Sequence, residues 1–144
     1  MQSGLKVIAP ASVSNLACGF DTLGVAIDIP SDEMIGKWVN TPGVHIIEIT
    51  GKKKDIPLAA DHNIAGITAT ALLKHLGEDG RGLELRIHKH IPGGSGLGSS
   101  ASSATAAAVL VNELLNRPFE KRDLIPFALD GEMVASGSRH GDNV

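Results

Sequence analysis

Tyrosine is absent from the 144 residues, tryptophan occurs once and phenylalanine three times. With aromatics at 3% and a formal net charge of -3, the chain offers neither the stacking platform nor the basic stripe by which proteins hold nucleic acid. Cys18 is the only cysteine, so no disulfide can close within the chain, and a reducing cytoplasm is the expected compartment. No apolar run approaches the roughly 20 residues that cross a bilayer, and the opening Met-Gln-Ser-Gly-Leu-Lys-Val-Ile has no signal-type apolar core, so no membrane partner is expected. A 42% hydrophobic content balanced by 20% charged residues suits one globular domain, able to bury roughly 70% of its unfolded surface.

Glycine is plentiful, and its placement is informative. Pro92-Gly93-Gly94-Ser95-Gly96-Leu97-Gly98-Ser99-Ser100-Ala101-Ser102 lies between two periodic segments. Upstream, Leu83, Leu85, Ile87 and Ile91 alternate with Glu84, Arg86, His88 and His90, the period of a half-buried strand. Downstream, Ala101, Ala104, Ala108, Val111 and Leu115 recur at helical spacing, and Asn116 with Pro118 closes the helix. Glycines at a strand-to-helix turn let the backbone approach a ligand, and the first amides of the helix carry the positive end of its dipole. The stretch reads as a phosphate cradle. It is not a Walker A loop, because Gly98 is followed by Ser99 rather than lysine, and Ser99 also occupies the third-glycine position of the dinucleotide fingerprint. With no lysine inside the loop, charge neutralisation falls to backbone amides, hydroxyls and a metal such as magnesium. A flexible linker would not be framed by a strand and a capped helix.

The rest of the chain supplies further elements. Lys6 to Ala9 reads as a strand ending at Pro10, then a small, polar loop containing Asn15, Gly19 and Asp21, then an apolar strand from Leu23 to Ile29. Asn15 and Asp21 have the groups to hold an alcohol or amine, and equally the habit of capping their own turns. Glu33 to Val39 and Val44 to Ile49 read as a hairpin about Thr41-Pro42-Gly43. A helix is expected over Asn63 to Leu76 with Asp61 as cap and Gly77 as stop, and another after Asp123 that carries Glu132, with Pro126 in its first turn. His88 and His90 lack a third ligand for zinc, and Cys18 with His140 is a nucleophile and base by residue type alone.

Three stretches carry a resemblance to a known family. Ala9 to Gly24 resembles the opening motif of homoserine kinases, and Pro92 to Ser102 resembles the Pro-x-x-x-Gly-Leu-Gly-Ser-Ser-Ala loop of the GHMP kinase superfamily. Ser136-Gly-Ser-Arg-His140-Gly-Asp-Asn143-Val is similar to the homoserine-kinase His-x-Asp-Asn segment. The resemblance implies an α+β fold related to the second domain of ribosomal protein S5, with a left-handed βαβ unit. Residues 1–144 would be the N-terminal, ATP-binding domain, truncated before a second domain whose arginines help hold the substrate carboxylate. Carried onto this chain, it implies that the loop from Pro92 to Ser102 wraps the triphosphate of ATP and that Asn63 and Ile64 lie near the adenine. Ser100 with Glu132 would ligate magnesium, Ser99 being the alternative ligand. Asp21 would take the substrate ammonium, and Asn15, His140 and Asn143 would surround the reacting hydroxyl. The implied reaction is ATP-dependent phosphorylation of homoserine in threonine biosynthesis, by an enzyme that the resemblance allows to be a homodimer. Asn143 cannot act as a base, so catalysis would rest on in-line positioning and charge neutralisation. The competing readings are another GHMP small-molecule kinase, acting on mevalonate or a sugar, and a non-catalytic S5-like binding module.

Overall fold

Leu83, Leu85 and Ile87 are buried on one face of a strand whose other face carries Arg86 and His88 to solvent, and this strand is the centre of the sheet. The computed structural model describes residues 4–19, 22–52, 55–136 and 141–144. Among the described residues four strands, β1 (Leu5–Ser14), β2 (Gly24–Val39), β3 (Gly43–Gly51) and β4 (Gly82–Lys89), are ordered β1-β2-β4-β3. β4 pairs antiparallel with β2 and parallel with β3. The α-helices of the described residues follow the same numbering: α1 (Ile64–His75) links β3 to β4, α2 (Ser99–Leu114) follows the glycine loop, and α3 (Ile125–Ser136) follows α2. Met34, Ile46 and the β4 leucines share one apolar cluster with Ala69 and Leu72 of α1 and with Ala107, Leu110 and Val111 of α2. The opposite sheet face carries ion pairs Lys6–Glu33, Lys37–Glu84 and Arg86–Glu48.

The alanines of α2 let it lie close against the sheet. At Gly36 of β2 an added Cβ would sit 2.5 Å from Leu110 Cδ2, so the strand gives up a side chain where the helix crosses.

Several expectations are corrected. β1 does not stop at Pro10 but runs on to Ser14. As an edge strand it tolerates proline, with the register shifting between Pro10 and Ala11. The two strands expected over 23–29 and 33–39 are one, β2, continuous from Gly24 to Val39. The hairpin expected around Thr41-Pro42-Gly43 does not form, because β4 inserts between its arms, pairing Gly82 with both Val39 and Gly43. The short link passes over the start of β4 so closely that a Cβ on Gly82 would lie 1.9 Å from the Thr41 carbonyl oxygen. Asp61 is not the cap of α1 but sits in a preceding 3-10 turn, Ala60–His62. Asn63 is the cap, its Oδ1 accepting the amides of Ala65 at 3.0 Å and Gly66 at 3.4 Å. Asp123 closes a reciprocal capping box with Glu120 in the 3-10 turn before α3, rather than capping α3 itself.

Candidate active site

The strand-to-helix turn is formed as the glycine spacing predicts. Gly94, Gly96 and Gly98 have φ of +75°, +74° and +67°, a region that side-chain-bearing residues avoid. Around Gly94 and Gly96 there is open space, whereas a Cβ on Gly98 would lie 2.6 Å from Ser12 Oγ and 3.1 Å from Asn143 Nδ2. Gly98 is the N-cap of α2, so the amides that open this helix have no intrahelical acceptors. The turn is braced by its own serines and by β1. Ser95 Oγ donates to the Pro92 carbonyl at 2.7 Å, Ser99 Oγ to the Ile91 carbonyl at 3.1 Å, and the Ser12 amide to the Leu97 carbonyl at 3.1 Å.

Ser100 and Glu132 meet. Ser100 Oγ donates to Glu132 Oε2 at 3.0 Å, joining the first turn of α2 to α3. Burial pushes the Glu132 carboxyl above its ordinary value and nearby Asp142 adds to the rise, while the Ser100 hydrogen bond and Lys89 oppose it. A hydroxyl and an enclosed carboxylate are hard oxygen ligands, and a cation would favour the ionised form that burial disfavours, so this donor set fits magnesium. Two protein oxygens also match the way magnesium is held, with phosphates and water completing its shell. Among the described residues no group of three His, Cys, Asp or Glu could hold a metal. Ser99 turns its hydroxyl to the strand end instead, which separates the two candidate ligands by orientation.

Asn63 and Ile64 line a small cavity of about 40 Å³ with Ser99, Ser100 and Lys89. The Asn63 amide is committed on both sides, capping α1 and donating to the Pro57 carbonyl at 2.7 Å.

Across Gly98 lies a larger cavity of about 330 Å³, lined by Pro10, Ser12, Gly24, Ser102, Asp142 and Asn143. Here β1 and the end of the chain are laced together. Asn143 Nδ2 donates to Ser12 Oγ at 2.9 Å and to the Ser12 carbonyl at 3.1 Å, Ser14 Oγ donates to Asn143 Oδ1 at 2.9 Å, and Asn15 Nδ2 donates to Asp142 Oδ2 at 3.0 Å. Asn15 and Asn143, more than 120 residues apart in the chain, thus belong to one network through Ser14 and Asp142. Asp21 and His140 lie outside the described residues. Cys18 is exposed.

Sequence reasoning missed five polar residues of this region: Ser12, Ser14, Asp142, Asp32 and Lys89. Lys89 had a legible signal, since it continues the 83-85-87 alternation onto the buried face. Asp32 had the same kind of signal, two residues before Met34 on the buried face of β2, whereas Ser12, Ser14 and Asp142 become visible only when distant segments are brought together.

The family described as GHMP kinases N terminal domain matches residues 63–144, and the chain belongs to that family. Its sequence is similar to the homoserine kinase of Xylella fastidiosa (strain M12), 44% identical over 139 residues that cover 96% of this chain and 43% of that protein. Its structure is similar to the crystal structure of homoserine kinase from Cytophaga hutchinsonii, with a TM-score of 0.94 and 44% identity over 100% of this chain and 45% of the other. The Methanococcus jannaschii mevalonate kinase, 18% identical with a TM-score of 0.75 over 98% of this chain and 50% of the other, shares the fold. The chain therefore spans less than half the length of the curated relatives it matches.

Proposed function

We propose that the chain is the nucleotide-binding part of a homoserine kinase, which transfers the γ-phosphoryl group of ATP to the side-chain hydroxyl of homoserine. The observation that carries this reading is the juxtaposition at Gly98. On one side of this glycine stand the opening amides of α2, and on the other the Ser12–Asn143 pair at the wall of the larger cavity. A phosphate chain on the first side and an alcohol on the second would meet across a residue with no side chain. Identity of 44% to homoserine kinases over nearly the whole chain supports this acceptor over others of the family.

In this reading the loop from Pro92 to Ser102 binds the phosphates through backbone amides. Ser100 and Glu132 would hold magnesium, which would neutralise charge on the phosphoryl oxygens. Asn143, fixed by Ser12 and Ser14, orients the acceptor hydroxyl. Asp21 takes the substrate ammonium, and Asn15 and His140 complete the acceptor site. The hydroxyl oxygen forms the new bond to the γ-phosphorus, the bond from that phosphorus to the bridging oxygen breaks, ADP leaves, and the hydroxyl proton passes to water. Positioning supplies most of the rate, as the loose transition state of phosphoryl transfer allows.

The test is magnesium-dependent ADP release by the polypeptide of the complete reading frame, with homoserine, mevalonate and galactose as separate acceptors. Homoserine-selective release is expected, lost in S100A and lowered in N143A by about 100-fold or more if positioning carries the rate. Release with mevalonate but not homoserine would move the substrate assignment, and no release with any acceptor would remove the kinase reading.

A further inference from the structure

Asp32 and Lys89 are 2% and 1% exposed, and neither has a part in the mechanism above. They form an ion pair beneath the glycine loop. Both occupy positions where the strand alternation asks for an apolar residue, Asp32 beside Met34 on β2 and Lys89 after Ile87 on β4. Stability alone is a weak reason for such a pair, since apolar residues of similar volume often serve as well or better.

Their partners are more telling. Asp32 Oδ1 accepts the amides of His90 at 2.8 Å and Ile91 at 2.9 Å, the two residues that lead from β4 into the loop. Its Oδ2 accepts from Ser102 Oγ at 3.0 Å, in the first turn of α2, and from Lys89 Nζ. Lys89 Nζ also donates to the Ser99 carbonyl at 2.7 Å and to Ser103 Oγ at 2.8 Å. One carboxylate and one ammonium thus tie the two ends of the loop to each other and to β2.

We infer that Asp32 is a positioning residue of the phosphate site: through Lys89, Ser102 and the amides of His90 and Ile91 it holds the strand exit and the start of α2 in one register. An apolar pair would fill the same space but leave those amides, Ser102 and the Ser99 carbonyl to find other partners, and the loop could splay. The functional consequence rests on the kinase reading above, whereas the clamp itself does not.

The experiment compares the unaltered complete protein with D32L/K89M, which restores packing without the clamp, and with D32N, which keeps the shape and one acceptor oxygen. Amide hydrogen exchange without nucleotide should rise about tenfold over residues 91–100 in D32L/K89M, and by less in D32N, with α1 and residues 5–9 of β1 unchanged. The KM for ATP should rise about tenfold in the double variant with a smaller change in kcat, while its melting temperature stays near that of the parent. A stable double variant with parental loop exchange and parental KM would overturn the inference, as would exchange in D32N that rises evenly over the whole sheet. Should the double variant fail to fold, D32N decides by whether its exchange is confined to the loop. An unaltered protein inactive with every acceptor would remove the kinase reading, while loop exchange would still decide the clamp.

Discussion

Glu132 shows how burying a carboxyl sets the pH dependence of stability. Its carboxyl is raised above the ordinary value chiefly by burial, with Asp142 adding to the effect. A raised folded-state value means that the fold binds the proton more tightly than the unfolded chain. The stability contributed by Glu132 is therefore full below the unfolded value of 4.5 and is lost as pH rises through the folded one. E132Q, which cannot ionise, should melt higher than the parent at neutral pH without nucleotide, with the difference vanishing at acid pH. Thermal melts from about pH 4 to about pH 8 check this, and a variant that melts lower throughout would show that the carboxylate is compensated in the empty fold. Gly98 makes the complementary point, because it combines a φ of +67° with Ser12 Oγ 2.6 Å from where a Cβ would stand. G98A should lose about 1–2 kcal/mol from backbone conformation alone, with further loss from moving Ser12 and Asn143. Titration with an ATP analogue should show affinity lowered about tenfold, and unchanged affinity would mean that the opening of α2 is not the phosphate site.

The element that organises the sheet is β4, and the residue that admits it is Gly82. The β2–β3 link passes over the first residue of β4, with the Thr41 and Val39 carbonyl oxygens 1.9 Å and 2.6 Å from the position of a Cβ. Both atoms belong to the backbone, so neither can yield as a flexible side chain would. G82A should cost about 3 kcal/mol or more, read as a lowered urea midpoint with an unchanged slope. A near-neutral result would mean that the link can lift away and that β4 does not depend on the close crossing. The same strand explains the site, since its far end delivers Lys89, His90 and Ile91 to Asp32 immediately before the loop.

For the molecule as a whole, one sheet face is covered by helices and the other is laced by partly exposed ion pairs, each worth about 0–1 kcal/mol, which favour solubility more than stability. Because the chain matches only 43% of the X. fastidiosa relative, substrate contacts beyond these residues are expected in the proposed enzyme. Residues 1–144 should show loop protection from proteolysis when magnesium and ATP are added, while transfer to homoserine should need the complete reading frame. Transfer by residues 1–144 alone would place all necessary contacts within this chain.

The strand-to-helix cradle, the stop of α1 at Gly77 and the alanine face of α2 were legible in the sequence alone. Each rests on local periodicity or on the conformations open to one residue, such as the positive φ of Gly77. Tertiary structure decided the rest. It put β4 between β2 and β3 where a Pro-Gly turn suggested a hairpin, because the turn residues limit the link but not which strand fills the gap. It also made Asn63 rather than Asp61 the cap, and joined Asp32 to Lys89 and Ser12 to Asn143. Those pairs are separated by 57 and 131 residues, and their free energy exists only once the sheet order has brought distant segments within hydrogen-bonding reach.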